Sequence, residues 1–299
     1  MVLENFLKIL FVINPISGGK SKVNWELEIR KYFTDLPHKI DFFILNGKDD
    51  EESLKYWLNS IKPDRVVAVG GDGTVSLVAE QILGTEIPMG IIAAGSANGM
   101  ARELDLPADI KESLDIIIDG DIKKSDVIKL NNSEISLHLS DLGINAQLVK
   151  YYEKNKLRGW LGYSKMLLRV LVRKKLMKVT ITADGEVIKA NAILVVIANA
   201  SKYGTGALIN PGGNLHDGIF EIVIVRSLSI LTVIKMFFQY KRYDPKKVEI
   251  IEARHAIIET VKPIYFQVDG EFIGKVKKVT ADIIPGDILL ILPKKIKAD

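Results

Sequence analysis

The chain contains no cysteine. That excludes disulfides and thiolate metal sites and suits a cytoplasmic setting. It has no apolar run near the eighteen or so residues that a spanning helix requires. The longest runs, 192–200 and 230–238, are short, and Lys235 interrupts the second. Charge of one sign is scarce in excess: 41 basic against 37 acidic residues leave +4, too little to argue for nucleic acid. The four histidines, His38, His138, His216 and His255, are scattered without metal-ligand spacing. Residues 6–13 have the apolar character of a signal core, but Glu4 and the absence of a basic leader argue for a first strand. Internal repeats and low-complexity segments are also absent. With 47% hydrophobic and 26% charged residues in 299, the chain has enough apolar side chain to build two packed domains.

The first 130 residues alternate strand and helix signals. Strands are expected at 7–13, 40–45, 65–69 and 89–94, and helices at 23–33, 51–61, 74–83, 97–104 and 111–118. This order predicts an α/β domain, Rossmann-like and three-layered, over residues 1–127, with ligands bound beyond the carboxyl ends of its strands. After a basic helical stretch at 161–178, short strands are expected at 187–198, 219–225, 248–251, 256–259, 265–268, 279–284 and 288–292. They predict a β-rich, sandwich-like domain over 128–299, whose last strand or tail returns to the first domain. The active site is expected in the cleft between the two.

Three glycine-rich turns follow strands of the first domain: Asn14-Pro15-Ile16-Ser17-Gly18-Gly19-Lys20, Gly70-Gly71-Asp72-Gly73-Thr74 and Gly95-Ser96-Ala97-Asn98-Gly99. Glycine lets backbone N–H groups approach a ligand closely, and a helix N-terminus adds partial positive charge, so each turn suits a phosphate. Any one of them also reads as an ordinary strand end. Gly19-Lys20-Ser21 resembles the end of a Walker A loop, but Asn14 stands where that loop needs its first glycine. Asp72, set among glycines, would repel phosphate unless a cation such as Mg²⁺ intervened; alternatively it caps the next helix. Asp269-Gly270-Glu271 reads on its own as a hairpin turn.

Together these segments resemble the catalytic domain of diacylglycerol, sphingosine and ceramide kinases. The likeness continues through Ser140-Asp141-Leu142-Gly143-Ile144-Asn145-Ala146, similar to the family's Gly-x-Asp-Ala segment with Asn145 in place of its aspartate. It extends to Pro211, to Asp217-Gly218 and to the C-terminal Asp269-Gly270-Glu271. The resemblance implies a lipid kinase that transfers the γ-phosphate of ATP to a diacylglycerol- or sphingoid-type hydroxyl with Mg²⁺. The nucleotide would meet Asn14, Pro15, Ser17, Gly18, Lys20, Gly70, Gly71, Gly73, Thr74, Gly95, Ser96, Asn98 and Glu271. Asp72 would sit at the metal, with Asp126 as a partner through the metal's water shell and Asp217 at a structural ion. Asp269 would be the general base, a role that some branches give to the aspartate matching Asp72. Two departures stand out: Leu77 replaces a glutamate, and Gly99 replaces the aspartate of bacterial diacylglycerol kinases. They leave open a non-catalytic nucleotide- or lipid-binding member. An NAD-kinase-like enzyme is the other alternative.

A lipid substrate implies a protein that visits a membrane surface, peripherally at its inner face. Residues 161–178 and 228–243 combine basic and apolar side chains in a way that suits an interface. The same pattern suits helices packed on the domain with a solvated basic face. The sequence does not set the acceptor lipid or the oligomeric state.

Overall fold

The computed structural model describes residues 6–17, 23–155, 176–204, 206–227, 236 and 243–294. The chain divides into two compact units, one of residues 1–125 with 286–299, the other of residues 126–285.

In the first unit, β1 (Lys8–Ile13), β2 (Lys39–Ile44), β3 (Arg65–Gly70) and β4 (Met89–Ala93) form a parallel sheet in the order β2-β1-β3-β4. The helices between and after them are α1 (Trp25–Tyr32), α2 (Asp50–Ile61), α3 (Asp72–Ile82), α4 (Gly99–Glu103) and α5 (Ile110–Asp119). Alternate residues of a strand face opposite sides of its sheet. In β1 both sets, Ile9, Phe11 and Ile13 on one side and Leu10 and Val12 on the other, are buried. The sheet is therefore covered on both faces, which its near-continuous apolar strands required. Phe11 packs with Phe33, Ile29, Val67, Leu114 and Ile117, drawing α1 and α5 onto one face. Burying a side chain of that size contributes about 1.5–3 kcal/mol. Local signals fix the helix starts. The Asn24 side chain accepts the Leu27 amide hydrogen ahead of α1, and that of Asp109 accepts the Glu112 amide hydrogen ahead of α5.

β5 (Asp121–Leu130) starts in the first unit and ends in the second. It is followed by β6 (Glu134–Ser136), β7 (Leu139–Gly143), α6 (Ile144–Asn155), β8 (Met177–Ala183), β9 (Glu186–Ala192), β10 (Leu194–Ala198), β11 (Phe220–Val225), β12 (Val248–Ala253), β13 (His255–Val268) and β14 (Glu271–Leu292). In the second unit the strands run β12-β11-β10-β7-β13-β14, with β8 joining β13 to β9 and β6 paired to β5. The register places Asp141 of β7 opposite Gln267 of β13. One continuous core holds Leu142, Ile197, Ile222, Ile258, Phe266 and Val279. The final residues of β14 belong to the first unit, where Leu290 pairs in parallel with Met89.

The order of elements agrees with an α/β unit followed by a β-rich one; several boundaries differ. The expected strand 187–198 is two strands, broken at Ile193, whose amide hydrogen goes to Val225 O and whose carbonyl accepts from Ile144. The expected pairs 256–259 with 265–268, and 279–284 with 288–292, are each one strand. β13 absorbs Pro263 in a register shift between Glu259 and Ile264. β14 runs through Pro285-Gly286, with Gly286 at φ +62°, where a turn was expected. Residues 177 and 178 end no helix; they begin β8, whose Met-Lys-Val-Thr-Ile-Thr-Ala alternates buried and half-exposed or exposed side chains. Residues 161–175 of the expected basic helix, and nearly all of 228–243, lie outside the described residues.

Candidate functional site

The three glycine turns of the first unit stand at the carboxyl ends of β1, β3 and β4. Asn14 closes the first. Its Oδ1 accepts the Ile16 amide hydrogen at 3.1 Å, its carbonyl accepts that of Ser17 at 3.2 Å, and Pro15 lies in the turn so formed. Its Nδ2 donates to Thr74 Oγ1 at 3.4 Å, tying the first turn to the second. Gly18 and Lys20 lie outside the described residues.

The second turn leaves no room for a side chain at Gly70. A Cβ on Gly70 would lie 2.2 Å from Thr74 Oγ1. Gly71 caps α3, and its carbonyl accepts the amide hydrogens of Thr74 and Val75. Asp72 is the first residue of α3 and Gly73 the exposed second. In the third turn, Asn98 adopts a left-handed φ of +52°, tolerated by asparagine. Its side chain accepts from Gly95 N at 2.8 Å and donates to Gly95 O at 3.0 Å, leaving Ser96 exposed at the tip. Asp72 Oδ1 accepts the Met100 amide hydrogen at 3.2 Å, so this half-exposed carboxylate also ties α3 to α4. Asn14, Thr74, Gly70, Gly71, Asp72, Gly95 and Asn98 thus form one connected set.

In the second unit, Asp269 and Gly270 occupy the turn between β13 and β14 with φ of +45° and +93°, a two-residue hairpin geometry that Asp-Gly favours. The Asp269 carboxylate turns back onto the segment ahead of β7. Its Oδ1 accepts from Ser136 Oγ at 2.7 Å, His138 N at 3.1 Å and Leu139 N at 3.0 Å; its Oδ2 accepts from Leu137 N at 2.7 Å. Burial pushes this carboxyl above the usual carboxylate range, opposed by His138 and by these donors. Glu271 opens β14 with an exposed side chain.

Asp126 and Asp217 are brought close together. Asp126 is buried, and its Oδ2 accepts the Gly218 amide hydrogen at 2.7 Å, which braces the exposed turn carrying Asp217. Among the described residues, no three Asp, Glu or His side chains converge with metal-ligand geometry. Buried Glu221, whose Oε2 accepts from Asn210 at 2.6 Å, is raised above the usual range by burial first, with Asp217 and Glu252 adding to it.

Sequence reasoning did not single out Ser136, Gln267 or Asp141 as site residues. Asp141 is fully buried on the central strand β7, and burial pushes its carboxyl up to about 6 against hydrogen bonds from Asn145, Gln267, Tyr203 and the Ala146 amide. The available signal was a charge inside the short apolar run Leu139–Gly143.

Glycine turns beyond a parallel sheet, joined to a β-rich unit that presents a fixed carboxylate on a hairpin, match known proteins along most of the chain. Residues 8–130 match the diacylglycerol kinase catalytic domain, and residues 140–292 the YegS C-terminal NAD kinase beta sandwich-like domain. The chain belongs to the family that these two domains define, a diacylglycerol kinase catalytic domain followed by a YegS C-terminal domain. It is 28% identical over 238 residues to a diacylglycerol kinase of Staphylococcus saprophyticus, covering 76% of this chain and 73% of that one. A solved diacylglycerol kinase from Bacillus anthracis shares the fold with a TM-score of 0.73 at 21% identity, over 97% of this chain and 98% of that one. An Archaeoglobus fulgidus NAD kinase solved with ATP is more distant: TM-score 0.56, 12% identity, over 96% and 94% of the two chains. Among the described residues no helix is long and apolar enough to cross a membrane.

Proposed function

We propose that the protein is an ATP-dependent lipid kinase, with Asp269 as general base toward a diacylglycerol- or sphingoid-type hydroxyl and Asp72 at the magnesium–nucleotide site. The observation that carries this reading is the Asp269 carboxylate, held in one orientation by Ser136 and three consecutive backbone amides. Burial raises its basicity, and Oδ2, which takes the Leu137 amide hydrogen, has a second lone pair for an incoming hydroxyl proton. As Asp269 takes that proton, the acceptor oxygen bonds to the γ-phosphorus. The bond from phosphorus to the bridging oxygen breaks, and ADP leaves with the electron pair. Such a transfer depends mainly on alignment and on neutralising phosphate charge.

The first unit suits the nucleotide. Gly71 and Gly95 approach so closely that a Cβ on either would meet the other's backbone, and α3 directs its positive end at the same turn. Asp72 suits Mg²⁺, because a half-exposed carboxylate with one bond from Met100 retains lone pairs for a cation. The metal would screen the phosphates from that carboxylate. Asp217, whose turn Asp126 holds, would contribute one carboxylate to a structural ion. The lipid acceptor implies peripheral contact with a membrane surface at its cytoplasmic face.

The test is transfer of γ-labelled phosphate from Mg-ATP to diacylglycerol, monoacylglycerol, sphingosine or ceramide in mixed micelles, with NAD as a further acceptor. Label in the lipid phase supports the reading and ranks the acceptors. Label in NADP alone moves the protein to the NAD-kinase-like alternative, which the shared fold motivates. No transfer despite ATP binding identifies a non-catalytic member and makes Leu77 and Gly99 its leading features.

A further inference from the structure

We propose that Asp141 is a positioning residue for the Asp269 turn, acting through the side-chain amide of Gln267. The inference rests on the reading of Asp269 as the base.

Gln267 is 1% exposed and lies two residues before Asp269 on β13. Its Nε2 donates to Asp141 Oδ2 at 2.6 Å and to Leu139 O at 3.3 Å. Its Oε1 accepts the Gly270 amide hydrogen at 2.6 Å. One amide thereby joins the two segments that define where Asp269 sits: the turn carrying it, and the strand whose first residue, Leu139, donates to its carboxylate. A glutamine amide can rotate by half a turn and exchange its ends at little steric cost. Rotation here would aim Nε2 at the Gly270 N–H, donor against donor, and release the turn. Asp141 prevents this because the oxygen facing Gln267 only accepts, so the donor end of the amide is held toward β7.

The Asp141 carboxyl is itself held firmly. Asn145 Nδ2 donates to Oδ2 at 2.6 Å from the first turn of α6, and the Tyr203 hydroxyl donates to the same oxygen at 3.3 Å. Three side-chain donors therefore converge on Oδ2, and the Ala146 amide also acts on the carboxyl. Burial disfavours a charge there and pushes the carboxyl up to about 6 against these hydrogen bonds. What the site requires at this position is an acceptor oxygen rather than a negative charge.

The experiment compares the wild type with Asp141→Asn, Asp141→Ala, Gln267→Leu and the Ala/Leu double variant. It reads kcat and KM for lipid phosphorylation, ATP affinity by a separate binding measurement, and hydrogen exchange of the Gly270 amide. Asp141→Ala and Gln267→Leu should each lower kcat roughly tenfold to a hundredfold, the cost of a catalytic group displaced by about 1 Å, with ATP affinity unchanged. The double variant should be no slower than the slower single one, because both break the same link. Asp141→Asn keeps the acceptor oxygen and should stay within about threefold of wild type, with the Gly270 amide still protected. A multiplicative double variant overturns the proposal. So does an Asp141→Asn variant as slow as Asp141→Ala, which would assign the residue a charged role such as holding an acceptor ammonium. Failure of the base reading shows separately: Asp269→Asn would keep its turnover, while Gly270 exchange in the Asp141 and Gln267 variants would still report whether the brace exists.

Discussion

A Cβ placed on Gly95 would lie 2.4 Å from the Cα of Gly71. The same Cβ would lie 2.7 Å from Asn98 Oδ1, so neither neighbour leaves it a free direction. Gly95→Ala must therefore push apart the turns after β3 and β4. Overpacking of this kind costs about 1–3 kcal/mol, and at a binding turn it should weaken ATP by roughly tenfold to a hundredfold. Calorimetric titration with Mg-ATP checks this, with a thermal melt showing how much of the cost falls on the fold. Unchanged affinity would remove the nucleotide from these turns.

Asp72→Asn separates two roles of one side chain. The amide oxygen can still accept from Met100 N, so the tie between α3 and α4 survives and the melting temperature should hardly move. The charge that would hold Mg²⁺ is gone. Phosphate transfer should fall at least about tenfold and recover in part at higher Mg²⁺ concentration. Loss that ignores Mg²⁺ would place Asp72 in a structural role only.

Asp269→Asn should reduce phosphate transfer by roughly 10²- to 10⁴-fold, the range for removing a general base, while ATP binding persists. Asparagine tolerates the left-handed turn. Its oxygen can keep the three donors that now meet Oδ1, and its nitrogen would face the Leu137 amide hydrogen. That mismatch adds about 1–3 kcal/mol of instability. The measurement is labelled transfer alongside a denaturation curve; full turnover in a folded variant would remove Asp269 from the chemistry.

Asp141 gives the folded state a pH dependence of known sign. Its folded pKa of about 6 lies above the ordinary carboxylate value, so between about pH 4 and 6 the native chain holds a proton that the unfolded chain has released. Stability from this group is therefore greatest at low pH, falls as pH rises through that window, and is flat above it. The whole change is about 3 kcal/mol at 1.36 kcal/mol per unit. Asp269 and Glu221, also raised, add slopes of the same sign, so the informative quantity is a difference. Urea midpoints of wild type minus Asp141→Asn should decline from pH 4.5 to 6.5 and then level. A flat difference curve would mean that Asp141 titrates as an ordinary carboxyl.

Periodicity alone carried the first unit well. The runs Lys8–Ile13, Arg65–Gly70 and Met89–Ala93 are apolar enough to demand cover on both faces, and α1 and α5 carry their own side-chain caps. The glycine turns were equally legible as runs, and the need for glycine at Gly70 is local, set by Thr74; the close approach of Gly71 to Gly95 is tertiary. The second unit was less so. Its strands pair at long range, and β14 crosses Pro285-Gly286 because its partners change there, which no local pattern announces.

The sequence by itself determined the alternation of strand and helix, the positions of the glycine turns, and an Asp-Gly hairpin at residue 269. These depend on side-chain period, steric freedom and turn chemistry within a few residues of the chain. Only the tertiary structure decided that Asp269 folds back onto amides 130 residues away, that Asp126 braces the Asp217 turn, and that a buried Asp141 accepts from the Gln267 amide. Hydrogen-bond partners and burial belong to the register of β7 against β13. That register arises when the core of the second unit closes, and it is not written in either strand alone.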